Sequence, residues 1–344
     1  LEKQENINEY LNHELSINRH ASLFELITLR YHKQGSVRNQ KEAKQLDDLL
    51  LEEFSLASSK KRNSFESDKL HLHFQSTYFL MSGSPDQSLR IFEELNILFQ
   101  KNKTLWSDNP IYYIYLLHGI ITNLHFMKKF NEIDFFLSEL KQIQANGESL
   151  SLLKEHLYNF HLLGLLIEKG KINEALDTAE NYEKLFSNKI IAPNSSAAMH
   201  FRLAVLFFIN SNYTASLKLV NKVLNTSGKY ISTQQYTLGR MLHLLIHLEL
   251  GNDDYLHYEI KSVERKLKNA KKLFTLEKIT LQFLKRWLIK QERVKVLKDF
   301  EQALIALEEN GFENQLLSLF PFKAWVRSRI LKVSLKDFIK EAQI

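Results

Sequence analysis

Apolar residues fall three or four positions apart along almost the whole chain. Ile172, Ala175, Leu176, Ala179, Tyr182 and Leu185 follow this spacing, as do Phe130, Ile133, Leu137 and Leu140, and again Tyr213, Leu217, Val220, Val223 and Leu224. That period places each set on one face of an α-helix. No competing stretch alternates β-branched and polar residues, so the pattern predicts an all-α protein. Proline marks helix starts. Ser84-Pro85 and Asn109-Pro110 each set a capping side chain before a proline at the first helical position. Pro193 opens a helix in the same way, and Pro321 separates two C-terminal helical stretches.

Short turns punctuate this pattern at nearly constant intervals. They lie near Gly83, Lys128, Gly170, Ser211 and Gly251, spaced 45, 42, 41 and 40 residues apart. A further turn at Gly35 precedes them and another near Gln291 follows, 40 residues after Gly251. Each unit reads as one helix, a turn of two to four residues, then a second helix. Seven such hairpins span about residues 21–310, leaving 311–344 as C-terminal capping helices around Trp325 and Phe338. A lone hairpin cannot bury its apolar faces, but stacked hairpins can. The expectation is a right-handed α-solenoid of about seven hairpins, continuous over residues 1–344. Ser58–Ser64, with Lys60, Lys61 and Arg62, and Asn146-Gly147 read as exposed loops.

The hairpins resemble tetratricopeptide (TPR) repeats. That family packs its two helices closely through an eighth position on the first and a twentieth on the second. The matching residues are Ser76, Ile121, Leu163, Ala204 and Leu244, then Ser88, Ile133, Ala175, Ser216 and Leu256. Asn109-Pro110-Ile111-Tyr112-Tyr113 and His243–Leu250 followed by Gly251-Asn252 are similar to a group of bacterial TPR-like proteins with no assigned activity. The resemblance implies a binding scaffold rather than an enzyme.

Composition narrows the field further. The 344 residues include 10 Gly and 4 Pro, roughly 4% together where an average chain has about 12%. Turn-rich β architectures are excluded on that ground. With no cysteine, disulfides, thiolate zinc sites and cysteine-held clusters are excluded too. No run of 18 apolar residues occurs, so no membrane span is expected. Residues 1–20 are polar and show no signal peptide, which favours a cytoplasmic setting.

Charge is uneven. Between Lys261 and Lys298 stand 13 basic residues against Glu264, Glu277 and Glu292, a local charge of +10 in a chain of +6. Such a segment could draw nucleic acid, an acidic protein segment or anionic lipid, or simply be a solvated helical face whose lysine stems cover the core edge. Lys271, Lys272, Lys285 and Arg286 are its candidate contact residues. Tyr112, Tyr113 and Tyr115 cannot all face inward from one helix, so one or two are candidates to line a peptide groove. Phe135-Phe136 and Phe207-Phe208 read as filling between hairpins.

Signals for chemistry are weak. His243 and His247 share a helix face at the spacing of a metal pair, with Glu249, Asp253 or Asp254 as a third ligand. Their repeat positions favour packing instead. His71 and His73 point to different sides of a helix. Gly164 through Lys171 superficially matches a phosphate-binding loop, but the spacing is one residue too long and Ile172 stands where Ser or Thr belongs. The paired acids Asp47-Asp48, Glu93-Glu94, Asp253-Asp254 and Glu308-Glu309 sit about 100° apart and do not converge. No catalytic signature, cofactor or metal is expected, and a protein or peptide is the expected partner.

Overall fold

The computed structural model describes residues 2–57, 64–187, 189–271, 273–309 and 313–341. These form seventeen α-helices and one 3-10 turn, with no strand among the described residues. The chain divides into two compact units, Leu1–Tyr158 and Asn159–Ile344. Lys60, Lys61 and Arg62 lie outside the described residues, as does Lys272.

The first unit holds α1 (Glu2–Gln34), α2 (Gln40–Ala57), α3 (Phe65–Met81), α4 (Pro85–Lys101), α5 (Ile111–Phe126), α6 (Phe130–Gln142) and the start of α7 (Glu148–Glu168). The second holds the rest of α7, then α8 (Ile172–Phe186), α9 (Pro193–Ile209), α10 (Tyr213–Leu224), α11 (Thr233–Glu249) and α12 (Asp253–Asn269). It continues through α13 (Thr275–Leu288), α14 (Arg293–Glu308), α15 (Asn314–Leu317), α16 (Phe322–Leu331) and α17 (Leu335–Glu341). Most packing is between neighbours in the chain. Helices pack against the next one, as in α3–α4, α4–α5, α9–α10 and α10–α11, and α1 also touches α3, α9 touches α11, and α11 touches α13.

Five of the links are one motif. Three residues join α3 to α4, α5 to α6, α7 to α8, α9 to α10 and α11 to α12, and the middle residue always has positive φ: Gly83, Lys128, Gly170, Ser211 and Gly251. In each, the middle N–H donates to the carbonyl three residues back and the next N–H to the carbonyl five back. At Ser211 these are Phe208 (3.0 Å) and Phe207 (2.9 Å); at Gly251 they are Leu248 (3.2 Å) and His247 (3.0 Å). This left-handed closure satisfies the last carbonyls of the first helix and turns the chain directly into the second. The link before α14 differs, with positive φ at both Lys290 and Glu292.

The packing positions inside the hairpins are equally regular. All ten residues expected at the close approach, from Ser76 and Ser88 to Leu244 and Leu256, have no exposed surface. Where the second is serine, its hydroxyl donates across the hairpin to the carbonyl of the first: Ser88 to Ser76 at 2.8 Å and Ser216 to Ala204 at 2.7 Å. Between hairpins the approach is closer still at Gly119, where an added Cβ would lie 2.2 Å from the Phe92 ring.

Several local expectations shift. Pro85 and Pro193 do stand at helix starts, yet Ser84 makes no side-chain cap bond. Pro110 is itself the N-cap of α5, so Asn109 lies outside the helix. Phe135 is exposed rather than interstitial, whereas Phe208 is buried. The C-terminal helices do more than follow on from α14. They fold back across the second unit. Trp325 Nε1 donates to Glu249 at 2.7 Å, Arg329 forks onto both Glu249 oxygens at 2.6 Å, and Lys336 reaches Asn173 and Asn210 at 2.9 and 3.1 Å. Phe320 and Trp325 pack edge-on against Phe208, and Trp325 against Phe283.

Candidate functional site

The three tyrosines of α5 separate by register. Tyr113 is buried, stacked on Phe99 and close to Trp106, and it accepts a hydrogen bond from Gln100 Nε2 at 2.7 Å. Burial pushes its hydroxyl up to about 12, with Glu139 adding to the rise and the Gln100 bond opposing it. It is a core residue. Tyr112 and Tyr115 are 39% and 45% exposed and lie three residues apart, one turn along the same side of α5. Both hydroxyls are raised, chiefly by burial of the ring.

Tyr112 is set by its neighbours on α3. Lys69 Nζ sits 4.0 Å over its ring and bonds Glu66 at 2.7 Å, and the His73 ring lies 6.1 Å away. His73 is enclosed further by Phe24 and Phe99, and burial drives its imidazole down to about 3, with Lys69 adding to the fall. Phe24, Lys69, His73, Tyr112 and Tyr115 thus come from α1, α3 and α5, the first helices of three successive hairpins. The sequence offers no sign of Lys69, because a lone Lys on a helix carries no pattern, and it marks His73 only as pointing away from His71. Their role depends on which face of α3 meets α5.

Beneath this surface lies a buried polar contact between three helices. Glu53 of α2 is fully buried, the Nδ1 of His71 on α3 bonds its Oε1, and His20 Nδ1 on α1 lies 3.8 Å from the same oxygen. His71 and His73, two apart on one helix, therefore serve different neighbours.

The basic segment is partly neutralised by its own fold. Lys285 bonds Glu264 at 2.7 Å, joining α13 to α12, and Arg286 bonds Asp299 at 2.7 Å, joining α13 to α14 across an open groove floored by Phe283 and Phe300. Lys268 shares Glu264 at 3.0 Å, and Lys290 pairs with Asp253 at 2.8 Å. Lys271 is exposed in a left-handed turn at the end of α12. Lys285 and Arg286, adjacent in the chain, turn to different neighbouring helices, and Lys271 lies on another link.

His243 and His247 are neighbours, their rings 4.6 Å apart, with Tyr255 over both. Two of the three acids expected beside them face elsewhere: Glu249 holds Trp325 and Arg329, and Asp253 holds Lys290. Burial lowers His243 to about 4, with smaller contributions from His247 and Arg240. Among the described residues no group of histidines and carboxylates is placed to hold a metal ion, and no helix is long and apolar enough to cross a membrane.

No family model matches the chain, and no curated protein matches it.

Proposed function

We propose that the protein is a non-catalytic scaffold, a TPR-like right-handed solenoid of about seven hairpins that binds a protein or peptide segment along the first helices of its repeats. The observation that carries this reading is the pair Tyr112 and Tyr115, exposed in register on α5 beside Lys69. Two aromatic anchors one turn apart suit a peptide that supplies apolar side chains. The repeated three-residue links and the buried close-approach positions support the TPR-like relationship. The test is selection of a displayed peptide library on the wild-type chain, followed by binding to a Y112A/Y115A double variant. Selected peptides should lose at least about tenfold in affinity, the effect of about 1.4 kcal/mol. Peptides that bind both forms equally would end the proposal.

A second reading is that the protein binds an anionic partner through residues 261–298. Its support is the exposed set Lys261, Arg265, Lys266 and Lys271 on and after α12. A labelled single-stranded oligonucleotide should then bind in a salt-dependent manner and be released by R265E/K271E. Binding indifferent to both changes would remove this reading.

A further inference from the structure

Helix α1 has two working faces. One packs inward through His20, Leu23 and Ile27, against α2 and α3. The other is a bare stripe at positions 7, 11, 15, 18, 22, 26 and 29: Ile7, Leu11, Leu15, Asn18, Ser22, Leu26 and Leu29, all exposed. At 100° per residue the stripe lies roughly 145° round the helix from the buried face. None of these seven residues is charged, and the exposed Glu25 lies at one edge of the stripe, at the helix angle of Ile7. Its steps of four, four and three repeat every 11 residues, close to the true helical period, so it keeps to one side along its length. Ser22 does not interrupt it with an unmet hydroxyl, because that group donates to the Asn18 carbonyl at 2.8 Å.

The stripe is also symmetric about Asn18. Ile7 and Leu29 lie 11 residues to either side, Leu11 and Leu26 seven and eight, Leu15 and Ser22 three and four. A symmetric stripe is complementary to a second copy of itself run in the opposite direction. Pairing would set Ile7 on Leu29, Leu11 on Leu26, and Asn18 on Asn18 at the two-fold axis. One central Asn pair among apolar neighbours fixes register, since any slip would bury an amide against leucine. The area suffices. Ile7, Leu11, Leu15, Leu26 and Leu29 are each half or more exposed, which makes about 500 Å² per copy and about 1,000 Å² for a pair, the least expected of a specific interface. We propose that the bare face of α1 is a homodimer interface, formed by antiparallel pairing of α1 with α1 of a second copy. The peptide-binding reading is carried by Tyr112 and Tyr115 of α5, which this inference does not use.

The chain's lack of cysteine makes the geometry testable without background. Sedimentation of the wild-type chain up to about 100 μM should reveal a dimer, as an interface of this size allows micromolar affinity. L11E/L15E should stay helical by circular dichroism and sediment as a monomer. Under oxidation N18C should form a disulfide-linked dimer, and the I7C/L29C double variant should do the same, whereas I7C alone should not. A wild-type monomer at the highest concentration overturns the proposal. So does a dimer that survives L11E/L15E, or one that I7C alone cross-links as readily as N18C.

Discussion

Gly119 shows how much one absent side chain can decide. Its Cα faces the Phe92 ring, and a Cβ there would stand 2.2 Å from ring carbon. G119A should therefore destabilise the first unit by about 1–3 kcal/mol, the usual effect of overpacking. Chemical denaturation measures the loss, and F92L should recover part of it in the double variant. The two cross-hairpin serines carry less. S88A and S216A each leave a buried carbonyl of the first helix without its hydroxyl donor, at about 1 kcal/mol apiece. Their effects should add, because the two bonds lie in different units. At this scale burial was legible in the sequence and partners were not. Tyr113 could be expected to be one of several inward-facing tyrosines, but its bond to Gln100 depends on how α4 lies against α5.

At the scale of helices and links, the left-handed residue is the common device. Glycine adopts it freely, whereas Lys128, Ser211 and Lys332 hold φ of 56°, 59° and 59° against a steric cost. K128G and S211G should each raise stability by about 0.5–1 kcal/mol, read as a higher unfolding midpoint, since the backbone already has the shape glycine prefers. G251A should do the opposite through backbone strain alone, because nothing lies within 4 Å of its added Cβ. The links near 83, 128, 170, 211 and 251 were visible as breaks in the apolar pattern even where no glycine marks them. That three of the five carry glycine and two do not is why a motif search on glycine alone would miss the repeat. The start of α5 was displaced by one residue, because proline at 110 serves as the cap rather than as the first helical residue.

Buried histidines give the helices a common response to acid. His73 is held at about 3, and His156 and His243 at about 4, each chiefly by burial. The unfolded chain takes up protons at these sites near pH 6.5, while the folded chain resists until pH 3 to 4. Stability is therefore full above about pH 7 and falls as pH drops from 6.5 toward 4. Thermal melts across this range should show the decline, and H73F should flatten it. A melting temperature that rose toward pH 4 would contradict the assignment of these imidazoles as neutral.

Within the second unit, Glu249 is the most consequential single group. It receives the Trp325 indole and, on both its oxygens, Nη1 of Arg329 while nearly buried itself. E249Q should cost about 3 kcal/mol, because it leaves a half-sheltered guanidinium without its counter-charge. Hydrogen exchange should show faster opening of α16 and α17 than in the wild-type chain. The aromatic contacts of Phe320 and Trp325 with Phe208 and Phe283 make the fold-back part of the core rather than an appendage.

Helix content and the hairpin period were determined by the sequence alone, whereas the positions of close approach followed from the resemblance to tetratricopeptide repeats. The first two rest on local spacing, and a helix buries whichever side its apolar residues occupy. The fold-back of the C-terminal segment, α16 with α17, was decided only in three dimensions. Its contacts join residues 76 to 163 positions apart in the chain, and nothing in a local pattern distinguishes a C-terminal helix that continues a stack from one that returns across it. The same holds for α1. Its apolar residues spread round the helix and read as a weak pattern, until the structure shows one set buried and the other bare. Spacing can say that a residue shares a face, but which face meets protein and which meets solvent depends on the neighbours that arrive.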